Sequence, residues 1–111
     1  MKKFLVLYRA PTAARQQMEE AAPEQAKADL ALWTNWMNKN AGAVLDLGAP
    51  LEAGKHIEAG SASPGDNTIV GFSIVQSETM ATATKLMHDH PHFHTSGGSI
   101  EVFEFLPTPG T

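Results

Sequence analysis

A chain of 111 residues is one ordinary domain, long enough to bury ~65% of its unfolded surface and to hold together without a disulfide or a structural metal. Eight Lys and Arg against twelve Asp and Glu leave a formal charge of −4, scattered along the chain, which argues against nucleic acid or an anionic membrane surface as partner. The lack of cysteine excludes a disulfide framework, a thiol nucleophile and any thiolate-held metal or iron–sulfur centre.

The chain starts Met1-Lys2-Lys3 and continues with the apolar run Phe4 to Leu7. That run stops at Tyr8-Arg9, short of the ~7–15 residues of a secretory h-region, and no bilayer-spanning stretch follows, so the expected location is cytoplasmic. Phe4 to Tyr8, bounded by charge and by Ala10-Pro11, is too short for a helix and reads as a central strand. Thr12 to Ala22 has helix formers but no apolar stripe and reads as a loose turn. Pro23 suits the first position of a helix over Glu24 to Asn40, where Ala26, Leu30, Trp33 and Met37 recur at the helical period, widened by Leu32 and Trp36. Asn40-Ala41-Gly42 stops it.

Ala43 to Leu47 resumes strand character and Gly48-Ala49-Pro50 punctuates it. Residues 51–68 read as an excursion in which Lys55 to Glu58 makes a short edge strand. Thr68 to Gln76 is a strong strand, and Ser77 offers an N-cap hydroxyl to a helix through Met80, Ala83, Leu86 and Met87 that ends near Pro91. Ser99 to Leu106 is the final strand, stopped by Pro107-Thr108-Pro109-Gly110. The order β-α-β-β-α-β predicts a single α+β domain over 1–111, a ferredoxin-like antiparallel sheet with two helices on one face. Alternation puts Phe103 and Phe105 on the sheet side opposite Ile100 and Val102, so both sides are apolar, and a second copy of the chain is the expected cover.

Several short segments, in their order and spacing, carry a resemblance. Gly71-Phe72-Ser73-Ile74-Val75, the helix closing with His90-Pro91-His92, and Gly97 to Val102 resemble the YCII-related family, in particular its DGPF-containing branch; the opening strand and Asp46-Leu47-Gly48-Ala49-Pro50-Leu51 fit the same pattern. The resemblance implies a ferredoxin-like subunit pairing sheet to sheet into a dimeric α/β barrel. The Asp-Gly-Pro-Phe signature itself is missing, with only Asp66 of Ser63 to Thr68 similar to it. Some family members also carry a His in the first helix and an Asp before the Pro that ends the second; here the first helix has no His and His90 precedes Pro91. That acid–base pair does not carry over, and His90 is the position the family pattern places at an active-site edge.

Four of the five histidines lie in His88-Asp89-His90-Pro91-His92-Phe93-His94. An imidazole titrates near neutral pH, so His90 or His92 is a candidate for acid–base catalysis, against the plainer reading of a polar helix end. The spacing matches no metal signature, and no metal or cofactor is expected. By parity Asp46 and Glu101 point away from the helices. Together in an apolar cavity they would be a proton-transfer pair; otherwise they are strand-edge charges, one paired with Arg9. Arg9 is equally a candidate anchor for a carboxylate ligand. The catalytic candidates are thus His90, His92 and Asp46, and the ligand-binding candidates Arg9 and Glu101. No phosphate loop, nucleophile elbow or zinc-protease motif is present. Two functions stand: a small-molecule enzyme of the YCII-related class working by proton transfer, isomerase- or lyase-like, or a non-catalytic ligand-binding or regulatory module that has lost the acid–base pair. An enclosed cavity lined by His90, His92 and a carboxylate would favour the first.

Overall fold

The computed structural model describes residues 1–109; Gly110, the end of the predicted stop, lies outside the described residues. Strand β1 (Lys2–Arg9) alternates strictly, burying Phe4, Val6 and Tyr8 while Leu5, Leu7 and Arg9 turn to the other face. It occupies an inner position of a four-stranded sheet ordered β2-β5-β1-β6, with β2 at Val44–Pro50, β5 at Ile69–Ser77 and β6 at Ser99–Glu104. All three pairings are antiparallel, as the ferredoxin-like arrangement requires.

Helices α2 (Pro23–Lys39) and α3 (Met80–Leu86) lie on the face of Phe4, Val6 and Tyr8. The core gathers those residues with Ala10, Trp36, Val70, Val75, Ala83 and Met87, all buried. The opposite face carries Leu5, Leu7, Phe72, Ile74, Glu101 and Phe103 and has no layer over it among the described residues, leaving Phe103 47% exposed.

Four details differ from the sequence reading. Ala14–Glu20 is a short helix, α1, rather than a loose turn; it buries no residue, which is why it leaves no apolar stripe to read. The predicted stripe of α2 is used only at its C-terminal end: Trp36 is buried and Trp33 packs on the core, whereas Ala26 and Leu30 are exposed. Lys55–Glu58 is a strand, β3, but it pairs with β4 (Ser61–Pro64) in a separate hairpin rather than edging the main sheet. The α3 cap is Thr79, not Ser77: its hydroxyl accepts the Thr82 N–H while the Thr82 side chain accepts the Thr79 N–H, a reciprocal capping box.

One glycine fixes the sheet edge. Gly48 has φ +80°, and a Cβ there would stand 1.7 Å from the Phe72 carbonyl oxygen, so the bulge in β2 brings two backbones closer than any side chain permits.

Candidate functional site

A polar chain runs through the middle of the helix–sheet layer. After α3 the backbone turns at His90, and Pro91–His94 forms a 3₁₀ turn with Pro91 in its first position. His90 Nδ1 accepts the His92 backbone N–H at 2.9 Å, so the imidazole caps its own turn. A neutral ring that accepts at Nδ1 carries its proton on Nε2. Nε2 therefore donates to the Tyr8 hydroxyl at 3.1 Å, Tyr8 donates to Ser73 Oγ at 2.8 Å, and Ser73 donates to the Leu47 carbonyl at 2.6 Å. Every group from His90 to Leu47 has one role and one direction.

Aromatic rings close around it. Trp36 and Trp33 stand 4.4 and 4.5 Å from the His90 ring centre, and Tyr8 is 4.8 Å away. His90 is 1% exposed. Burial is the main reason its pKa falls to about 4, with the neighbouring His92 adding to the drop and Asp89 opposing it. Burial likewise pushes Tyr8 up to about 12 against the opposing Ser73 hydrogen bond. Both groups are thus neutral across the physiological range.

His92 is buried too, and its Nε2 donates to the Arg9 carbonyl at 2.8 Å, tying the turn to the end of β1. His88 and His94 are exposed. Helical spacing from Met80, Ala83 and Met87 correctly turns His90 inward and His88 outward. The 3₁₀ turn then separates His92 from His94, which an extended chain would have placed together. Among the described residues no three His, Asp or Glu side chains group to hold a metal ion.

The two carboxylate candidates part company. Asp46 stands opposite Ile74 on the open face and uses its carboxylate on the Gly48 N–H at 2.8 Å, shaping the β2 bulge away from both histidines. Glu101 instead meets Arg9: Nη1 donates to its carboxylate at 2.8 Å, while Nη2 donates to Asp66 at 2.6 Å and to the Thr68 hydroxyl at 2.8 Å. Asp66 is held below the usual carboxylate range by the Thr68 hydroxyl and N–H and then by Arg9. This cluster edges an open groove of about 470 Å³ lined by Arg9, Ala10, Pro11, Thr68, Gly97 and Ser99. A second open cleft of about 430 Å³ lies between α1 and the residues after β2. Neither reaches the rings around His90.

Tyr8, Ser73, Trp36 and Thr68 were not among the sequence candidates. Parity was the available signal for two of them: Tyr8 shares a side with Phe4 and Val6, and Ser73 a side with Val75, so both hydroxyls had to find partners in the core.

Fold and site together define a ferredoxin-like α+β domain, a four-stranded antiparallel sheet with its helices on one face. No known protein family and no curated protein matches the chain in sequence. Among solved structures it is similar to 5-chloro-2-hydroxyhydroquinone dehydrochlorinase (TftG) from Burkholderia phenoliruptrix AC1100, determined in complex with 2,5-dihydroxybenzoquinone, with a TM-score of 0.53 and 15% identity over 96% of this chain and 95% of that one. The likeness is one of fold. No helix among the described residues is long and apolar enough to cross a membrane.

Proposed function

We propose that the protein is a homodimeric, non-catalytic small-molecule-binding module of the YCII-related type, its ligand seated in the groove at Arg9. The observation that carries this reading is the guanidinium itself, fixed by Glu101, Asp66 and Thr68 at the groove edge with three of its donors engaged. Two of the five guanidinium N–H donors remain for a ligand. One cation between two carboxylates leaves the cluster net negative, which disfavours a carboxylate ligand and favours an uncharged molecule with acceptor oxygens. His92 supports the same site from behind through the Arg9 carbonyl.

A second reading, a proton-transfer enzyme using His90, His92 and Asp46, draws on the similar fold of a dehydrochlorinase and on the buried Tyr8–His90 pair. Against it stand the engagement of Asp46 by the Gly48 N–H on the other sheet face and the neutral, fully engaged state of His90. Native mass spectrometry of the purified protein separates the two. The module reading expects a dimer carrying extra small-molecule mass that is lost in Arg9→Gln and kept in His90→Asn. A bound mass lost in His90→Asn and kept in Arg9→Gln would move the site to the histidines and overturn this reading.

A further inference from the structure

We propose that the β3–β4 hairpin is a clasp whose apolar face seats on a second copy of this chain and completes the contact that the open sheet face begins; this rests on the homodimer reading above. In the hairpin register Lys55 faces Pro64 and Ile57 faces Ala62, while His56 faces Ser63 and Glu58 faces Ser61. Opposed residues share a face and successive residues alternate. One face therefore carries Ile57, Ala62, Pro64 and the stem of Lys55, and the other His56, Glu58 and two serines. The polar face is satisfied within itself, with His56 Nε2 3.1 Å from the Glu58 carboxylate. The apolar face is exposed throughout, and Ile57 is 75% exposed.

A two-stranded hairpin is marginal in water, and two-faced alternation pins its register only when one face is covered. Three observations make a second copy the cover. One leg of the hairpin is tied to the rim of the open sheet face, where Asp66 and Thr68 hold Arg9, whose side chain shares that face with Leu5 and Leu7; Glu52 on the other leg pairs with Arg15 of α1. The sheet face by itself is also modest. Four strands ~4.8 Å apart with about six residues each at ~3.3 Å give a flat footprint on the order of 400 Å², to which the hairpin would add towards the roughly 800 Å² of accessible surface per partner in a stable interface. Finally, the radius of gyration is 15.5 Å, against roughly 13 Å for a chain of this size closed on itself. In a two-fold dimer each protomer receives the other's hairpin, so both apolar faces are covered by one contact.

Sedimentation velocity over a dilution series of wild type, Ile57→Asp and Ile57→Val tests this. The expected result is a wild-type dimer, a dissociation constant raised about tenfold or more in Ile57→Asp and unchanged within about threefold in Ile57→Val. An Ile57→Asp constant within threefold of wild type overturns the clasp and leaves the sheet-to-sheet dimer standing. A wild type that is monomeric at tens of micromolar overturns the dimer reading and the clasp with it. Because the chain has no cysteine, Ile57→Cys supplies an independent readout. Its thiol should react with a disulfide reagent at least about tenfold more slowly in the dimer than after dilution to monomer, and equal rates overturn the proposal.

Discussion

At the scale of single residues, His90 organises the interior. Its ring caps the 3₁₀ turn, donates to Tyr8 and fills the space between Trp33 and Trp36. His90→Ala should therefore cost about 3 kcal/mol in urea unfolding, part from the void and part from the uncapped His92 N–H and the lost Tyr8 partner. His90→Asn, whose side-chain oxygen can still cap the turn, should recover about 1 kcal/mol of that loss. The ring also predicts a pH dependence. Its pKa falls from 6.5 to about 4 on folding, so below 6.5 the unfolded chain binds a proton that the folded chain refuses. Stability is complete above roughly pH 6.5 and declines towards pH 4, by on the order of 3 kcal/mol in all. Urea titrations between pH 4 and 7 should give that slope in wild type and a visibly flatter one in His90→Asn; equal slopes would contradict the assignment. The inward turn of His90 was legible in its spacing from Ala83 and Met87. Its partners were not, because Tyr8 and Ser73 lie 82 and 17 positions away and meet it only through the sheet register.

At the scale of elements, local chemistry decides the boundaries. Thr79→Ala removes the hydroxyl that accepts the Thr82 N–H, leaving the bond from the Thr79 N–H to the Thr82 side chain in place, and should cost about 1 kcal/mol, whereas Ser77→Ala, which loses only an exposed hydroxyl contact to Thr82, should stay within about 0.5 kcal/mol. Gly48→Ala should be far worse, at least about 3 kcal/mol or failure to fold, because the added carbon would collide with the Phe72 backbone and the φ of +80° is strained for alanine. Comparative thermal unfolding of the three variants checks the ranking. The main strands and α2 were readable because each buries a face at the period of its element. Helix α1 and the partner strand of Lys55–Glu58 were not, because neither carries a fully buried residue and their cues are short-range. The cap of α3 slipped by two residues because Ser77 and Thr79 are both hydroxyl residues that reach the Thr82 side chain, and the Thr82 backbone N–H, donated to Thr79 Oγ1, distinguishes them.

At the scale of the whole molecule, the account turns on the uncovered side of the sheet. Leu5, Leu7, Phe72, Ile74 and Phe103 form one apolar surface on a protomer whose extents are 49 × 44 × 20 Å, a thin slab with a single helical layer. A patch of this kind does not stay solvated in an isolated protein. Two-sided apolar strands made the need for a cover readable from the sequence, and the pairing of Arg9 with a strand carboxylate was readable too, while its other two partners were not, since Asp66 and Thr68 arrive from the far end of the excursion. Phe103→Glu, at a residue outside the buried core, should dissociate the dimer without loss of secondary structure. The most direct measurement is light scattering of the wild-type protein through the micromolar range. The account predicts a species of twice the 11.9 kDa chain mass, converted to the single chain by Phe103→Glu. A wild type that scatters as one 11.9 kDa chain throughout that range would contradict it.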